Sequence, residues 1–96
     1  SGTAAIDEQG LTVFAGDFEA QAACTLGMIA ALIAPTGATL ADVRQATAFF
    51  KHPQHAERFA SIARRFGMAH VPTVDVIADV CRDDLLFELD ATVVLR

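Results

Sequence analysis

Apolar residues recur at helical spacing in two stretches of the chain. The first stretch opens at Asp17, a suitable N-cap, has Glu19 in its first turn and stops before Pro35. The second starts at His52-Pro53, with proline at the tolerated first helical position, and ends at Gly67. Its predicted inner stripe consists of Ala56, Phe59, Ala60, Ala63 and Phe66. We therefore expect two amphipathic helices.

Five further segments have the composition or the alternation of strands. They are residues 1–6, 11–14, 43–50, 71–80 and 85–95. In the fourth segment Val74 and Val76 share one face, while Thr73 and Asp75 share the other. In the last segment Glu88 lies opposite a continuous apolar row. The predicted order is β-β-α-β-α-β-β, which favours an α+β domain with a sheet covered on one face by two helices.

The apolar content of the chain indicates that more apolar surface must be covered than the two helices can cover. Ninety-six residues form one domain, and 53% of them are hydrophobic. A membrane span is not expected, because Thr25 and Gly27 interrupt the most apolar run, 22–34, and no run approaches the ~20 apolar residues of a span. No basic segment with a following apolar one opens the sequence, so we expect a cytoplasmic protein. The excess apolar side chains and the second face of the sheet are then expected to lie at subunit contacts.

Charge and cysteine usage argue against several classes of function. The net charge is −5, all seven Lys and Arg residues lie at or after Arg44, and Trp and Tyr are absent. This composition does not suit nucleic-acid binding. Cys24 and Cys81 are far apart and are predicted to be reduced thiols. The three histidines are His52, His55 and His70. They lack the spacing of a metal site, so no metal or cofactor is predicted.

Three charged residues are candidates for chemistry. Glu88 lies in the middle of the most apolar strand, where it either faces solvent, pairs with a cation or transfers a proton. Arg82 follows a strand and offers a planar fork for a carboxylate, although a salt bridge with Asp83 or Asp84 is the ordinary alternative. Lys51 at the end of a strand lies either at the mouth of a cleft or in solvent.

Several segments together resemble the RidA (YjgF) superfamily. They are Ser1-Gly2-Thr3-Ala4, the helix opening at Gly16-Asp17, Gly37 to Val43, Ala46 to Phe50 and Phe87 to Ala91. The resemblance implies a chorismate-mutase-like fold and a homotrimer with three clefts between subunits. The best-studied members hydrolyse imines and enamines derived from amino acids and hold the substrate carboxylate with a strand arginine. The matching stretch here, Val71-Pro72-Thr73, has no arginine.

The segment 78–90 is similar to the C-terminal half of chorismatases, which cleave the enolpyruvyl ether of chorismate to pyruvate and a ring acid. This similarity implies that Glu88 is catalytic. It also implies that Cys81 and neighbouring arginines line the site, with Arg82 as the candidate here. Gly2 and Lys51 complete the predicted substrate-binding set. The superfamily's N-terminal strand has no counterpart here, so the chain is expected to be a fragment or the C-terminal half of a longer protein.

The combined hypothesis is a hydrolase-type domain that acts on a small carboxylate metabolite at an inter-subunit cleft, with Glu88 transferring the proton. The substrate is an enol ether or an imine or enamine. The alternative is a non-catalytic module that binds a small carboxylate or forms a trimer. No cofactor is expected in either case.

Overall fold

A computed structural model describes residues 3–78 and 83–93 of the chain. In order, the elements are α1 (Phe18–Ile33), β1 (Val43–Phe50), α2 (His55–Arg65), β2 (Thr73–Ile77) and β3 (Phe87–Val93). Short 3-10 turns lie at Ala34–Thr36 and Leu40–Asp42. The sheet has the order β2-β1-β3, with β1 parallel to β2 and antiparallel to β3. The predicted α+β fold, a mixed sheet with two helices, is confirmed.

Helix α1 begins where the sequence predicts, because the Asp17 carboxylate accepts a hydrogen bond from the Ala20 amide at 3.1 Å. By length and composition alone, the segment Phe18–Thr36 is apolar enough to cross a membrane. One side of α1 is nevertheless buried within the domain, as in the core helix of a globular protein. The buried residues are Phe18, Gln21, Ala22, Thr25, Leu26 and Ile29.

Helix α2 begins two residues later than predicted. Pro53 lies in the preceding turn, where its carbonyl accepts a hydrogen bond from the Ala56 amide at 3.2 Å, and the first helical residue is His55. The predicted inner stripe is also wrong at Ala60, which is exposed, while Ile62 is buried. Alanine has little apolar surface and therefore does not decide which face of a helix turns inward.

The first predicted strands are mostly loop. Between residues 3 and 14 the structure has two isolated bridges, Thr3 to Leu89 and Ile6 to Thr12. The Asp7 carboxylate binds the amides of Gln9 and Leu11 at 2.9 and 3.0 Å, and this local turn replaces a ladder. The later strands, predicted at 71–80 and 85–95, each begin two residues later than predicted; the described strands are Thr73–Ile77 and Phe87–Val93. Residues 79–82 and 94–96 lie outside the described residues.

Four phenylalanines from four different elements form the centre of the core. Phe87 on β3 lies 4.8 Å from Phe59 on α2, 5.5 Å from Phe50 on β1 and 5.8 Å from Phe18 on α1, measured between ring centroids. Each ring is at most 4% exposed. Tilted and edge-on pairs at these distances add to the burial of apolar surface. The helices are thereby fixed against one face of the sheet.

Candidate functional site

The strand register divides the sheet into a face that packs on the helices and an open face. Ala48 and Phe50 pair with Leu89 and Phe87, and all four are buried beneath the helices. The alternating positions point to the other side. We call that side the open face; its residues are Thr47, Phe49, Val74, Val76, Glu88 and Asp90. It carries one row of Val76, Phe49 and Glu88 and a second row of Val74, Thr47 and Asp90.

Glu88 is partly buried on the open face, with Phe49 as its direct cross-strand partner. Val76 follows on the far side of Phe49. Within the described part of the chain, the Glu88 side chain makes no ion pair and no hydrogen bond. Its direct neighbour on the sheet is therefore an aromatic ring, and no described side chain pairs with its carboxylate. A carboxyl group so placed can exchange a proton with a molecule that covers it.

Lys51 follows β1 directly, but its ammonium group is engaged by the backbone. It donates a hydrogen bond to the carbonyl of Asp83, at the start of the turn that leads into β3. Its amide also donates to the carbonyl of Leu86 at 3.2 Å. The structure thus gives Lys51 a role in fixing this turn, and it shows no hydrogen bond or ion pair between Lys51 and Glu88.

Gln21 on α1 holds the same turn from the opposite side and was not singled out by sequence reasoning. Its side chain is fully buried. Its Nε2 donates to the carbonyls of Asp84 at 3.0 Å and Phe14 at 3.2 Å, and its Oε1 accepts from the Leu86 amide at 2.8 Å. Such a saturated amide links the N-terminal loop, α1 and the entry to β3. The sequence feature that could have identified Gln21 is the position of a glutamine within a mostly apolar helical stripe.

The remaining predicted site residues, Gly2, Cys81 and Arg82, lie outside the described residues. Their contribution to a site stays a prediction. The suggested salt bridge of Arg82 is likewise outside this range, although the Asp84 carboxylate accepts a hydrogen bond from the Thr12 hydroxyl at 2.9 Å. Among residues 3–78 and 83–93, no group of three or more His, Cys, Asp or Glu side chains is placed to hold a metal ion.

A pocket of about 270 Å³ lies between α2 and β2. Phe59, Met68 and Val71 provide apolar lining, and Arg64 and Asp75 provide charge. Asp75 pairs with Ala48, whose side chain faces the helices, so the pocket is on the covered side of the sheet and Glu88 is on the other. Sequence analysis did not predict this pocket, because α2 and β2 meet only in the folded chain.

His55 is stacked on Phe18, with ring centroids 4.2 Å apart and planes 10° from parallel. Its Nδ1 is buried and has no hydrogen-bond partner among the described residues. Burial of the ring lowers the pKa of His55 below its ordinary value of 6.5, and the charges of His52 and Arg58 lower it further. The neutral ring is therefore favoured in the folded chain.

Comparisons with known proteins concern the fold. No protein-family model matches the sequence, and no curated protein matches it. A protein of Thermotoga maritima, provisionally named an endoribonuclease, is 26% identical with a TM-score of 0.82; the match covers 100% of this chain and 76% of that one. A YjgF-family member from Mycobacterium tuberculosis is 25% identical with a TM-score of 0.75, over 95% of this chain and 72% of its own.

A chorismatase is also similar, at 23% identity and a TM-score of 0.82. The match covers 98% of this chain but 31% of the chorismatase, and at this identity it shows a common fold. Together these structures define the class: an α+β domain of the chorismate-mutase-like type. Its particular form here is that of the RidA (YjgF) superfamily, and the resemblance expected from the sequence is confirmed.

Proposed function

We propose that this protein converts a small carboxylate metabolite at a cleft between subunits of a homotrimer, with Glu88 transferring the proton. The placement of Glu88 carries the proposal: it is the partly buried carboxylate of an open face that also presents Phe49 and two valines. Val74 on this face is 62% exposed. A neighbouring subunit over this face would remove that apolar surface from water and enclose the glutamate.

The chemistry follows from the substrates that the resemblance implies. An enol ether, an imine and an enamine each place a double bond next to a carboxylate. In the enol-ether case the protonated Glu88 gives its proton to the terminal methylene carbon, and water adds to the resulting cation. The hemiketal then breaks its carbon–oxygen bond to give pyruvate and an alcohol, and the proton released by water returns to Glu88. For an imine, the same carboxyl group protonates nitrogen before water attacks carbon.

A cation is needed to hold the substrate carboxylate during this step. Arg82 is the proposed clamp, and Cys81, Gly2 and Lys51 are the other proposed substrate-binding residues. In the covered pocket, Thr73 stands in the stretch where the best-studied relatives have their arginine. Arg82 is thus the residue whose removal best separates carboxylate binding from proton transfer.

The decisive experiment is Glu88→Gln assayed with chorismate and with 2-aminoacrylate. We expect turnover to fall at least about 100-fold, because general acid catalysis contributes on this scale, while the oligomer stays intact. Asp90→Asn is the matched control, since Asp90 lies two residues further along the same strand and face. Unchanged pyruvate release by Glu88→Gln would refute the mechanism.

The missing strand arginine in Val71-Pro72-Thr73 supports a second candidate, a non-catalytic carboxylate-binding or trimerisation module. This candidate predicts binding of a keto acid or a benzoate-like acid without product. Calorimetry of the unaltered protein with pyruvate and benzoate, alongside the turnover assay, distinguishes the two. Sedimentation that gives three times the 10.2 kDa of the chain would support the shared trimer.

A further inference from the structure

The group opposite Glu88 across the sheet is an aromatic ring. Phe49 on β1 pairs directly with Glu88 on β3, and alternation places both side chains on the open face. Asp90, which is also on this face, pairs with Thr47 and is exposed, whereas Glu88 is partly buried. The two carboxylates of the open face therefore differ in what lies beside them, and the more sheltered one has the ring.

Phe49 takes no part in the aromatic core. The four phenylalanines of the core contact one another beneath the helices. Within residues 3–78 and 83–93, by contrast, the Phe49 ring contacts no other ring. Its neighbour on the side away from Glu88 is Val76. No described aromatic group therefore engages the π electrons of Phe49, and the ring lies partly buried beside the acid.

Proton transfer from Glu88 creates a positive charge next to this ring. With an enol ether, the electrons of the double bond form the new carbon–hydrogen bond, and the charge develops on the carbon that bears oxygen. With an imine, the nitrogen lone pair takes the proton and an iminium ion forms; in both cases Glu88 is left as a carboxylate. The face of an aromatic ring attracts a cation within about 6 Å of its centroid. Directly opposite side chains have Cβ atoms about 5 Å apart, so an atom that takes the proton of Glu88 lies within reach of the Phe49 ring.

Resting on the function proposed above, we propose that Phe49 is a catalytic residue that stabilises the cation formed when Glu88 gives up its proton. The ring favours this cation over the uncharged double bond from which it forms, which is what acceleration of the step requires. The attraction is stronger where a neighbouring subunit excludes water. The same ring disfavours an enolate or another carbanion. The site is thereby suited to substrates whose double bond is protonated, and not to substrates that lose a proton from carbon.

Packing alone would give Phe49 a simpler role, that of an apolar residue covered by the neighbouring subunit. Fluorine substituents on the ring separate the two roles. They largely keep the shape and the apolar character of the ring, but they withdraw electron density from its face, which is the source of the attraction for a cation. A packing role therefore leaves turnover unchanged by fluorination, whereas a cation-stabilising role does not.

The first experiment replaces Phe49 by 4-fluoro-, 3,5-difluoro- and 3,4,5-trifluorophenylalanine and measures turnover of chorismate and 2-aminoacrylate. We expect kcat to fall with each fluorine and to be about five- to thirtyfold lower with three, since desolvated cation–π contacts have this strength. KM should not change, because the ring acts on the cation rather than on the bound substrate. The same series at Phe14, which is 55% exposed outside the open face, is the control and should have no effect. Equal kcat across the Phe49 series would overturn the proposal.

The second experiment needs no turnover. Glycine betaine and 3,3-dimethylbutanoate have nearly the same shape and the same carboxylate, but only betaine carries a fixed positive charge. Their binding is followed by the amide resonances of β1 and β3 in the ¹⁵N-labelled protein. We expect betaine to bind more tightly, and trifluorination of Phe49 to reduce the ratio of the two affinities at least about fivefold. An unchanged ratio, or no saturable binding of betaine, would overturn the proposal.

This inference and the proposed function fail in different ways. If Glu88→Gln keeps the turnover of the unaltered protein, proton transfer by Glu88 is wrong, whatever the Phe49 series shows. If Glu88→Gln abolishes turnover and kcat is equal across the Phe49 series, proton transfer by Glu88 stands and stabilisation by Phe49 is wrong.

Discussion

The two faces of the sheet differ in how completely the chain satisfies them. On the covered face, Phe50 and Phe87 are fully buried, and rings from both helices close over them. On the open face, Phe49 and Glu88 occupy the intervening positions, and Val74 is 62% exposed. Alternation along β1 and β3 thus gives one face whose side chains are covered by the helices and one face whose side chains are not.

The difference separates residues that have their partners within the chain from residues that remain accessible to water or to a second molecule. Residues on the covered face obtain their partners from α1 and α2 within the chain. Residues on the open face have no comparably extensive packing partners among the described elements. A carboxylate such as Glu88 is tolerated there because water or a second molecule can meet it. Substitutions on the two faces should therefore differ in kind, and this contrast can be tested.

The largest effect on stability is expected for Phe50→Ala. Loss of a fully buried ring should reduce the free energy of unfolding by about 3–5 kcal/mol, since transfer and cavity costs add. Phe49→Ala, its neighbour on the open face, should cost about 1–2 kcal/mol. Urea denaturation monitored by circular dichroism measures both. Equal losses at the two positions would remove the distinction between the faces.

The next largest effect is expected for Gln21→Met. This change keeps the volume but leaves the Leu86 amide and the Asp84 carbonyl without their buried partner, at a cost of about 2–4 kcal/mol. Gln45→Met is the control, since Gln45 is exposed on β1 and its replacement should change stability by less than about 0.5 kcal/mol. If Gln21→Met unfolded at the same urea concentration as the unaltered chain, the proposed link from α1 to β3 would be wrong.

A smaller effect is expected from pH, through His55. Because its pKa in the folded chain is below its ordinary value of 6.5, the unfolded chain takes up the proton first as the pH falls. Its contribution to stability is complete above pH 6.5 and is lost as the pH falls through the folded pKa. His55→Phe keeps the stack on Phe18 and removes this loss. Melting temperatures at pH 7.5 and 5.5 should differ less in the variant; an equal difference would contradict the assignment.

The smallest effect on monomer stability is expected for Val74→Lys on the open face. Val74 is exposed, so the free energy of unfolding at low protein concentration should change by less than about 0.5 kcal/mol. Self-association should weaken instead, because a charge then enters the apolar surface. Sedimentation velocity compares this variant with Leu32→Lys, which changes a 70% exposed residue on α1. Weakening by Leu32→Lys alone would place the subunit contact elsewhere.

The sequence predicts those elements whose signals are local. Asp17 and Pro35 mark the two ends of α1, and the bounds predicted for the strand at 43–50 are those of β1. Prediction fails where local signals compete: Pro53 is compatible with both a turn and a first helical residue, and the structure uses it in a turn. Alternation likewise predicts Glu88 on the face opposite the core, where the strand pairing places it.

The residues that line the pocket between α2 and β2 could not be predicted from such local signals. Arg64 belongs to the exposed side of α2, and Asp75 has the pattern of an ordinary edge-strand residue. Only the parallel pairing of β2 with β1, such as Asp75 opposite Ala48, brings the two together. That pairing depends on a crossover through α2, which periodicity along one segment does not encode.

The hydrogen bonds between Gln21 and the turn before β3 also bear on the register of β3 along β1. A shift of β3 by a single residue along β1 would turn Glu88 inward among the phenylalanines and turn Leu89 outward. The alternation of β3 already opposes such a slip, because the slip would bury the Glu88 carboxylate and expose a buried leucine. The hydrogen bonds from the buried Gln21 amide to the entry of β3 add a second restraint on the same alignment, which keeps Glu88 on the open face.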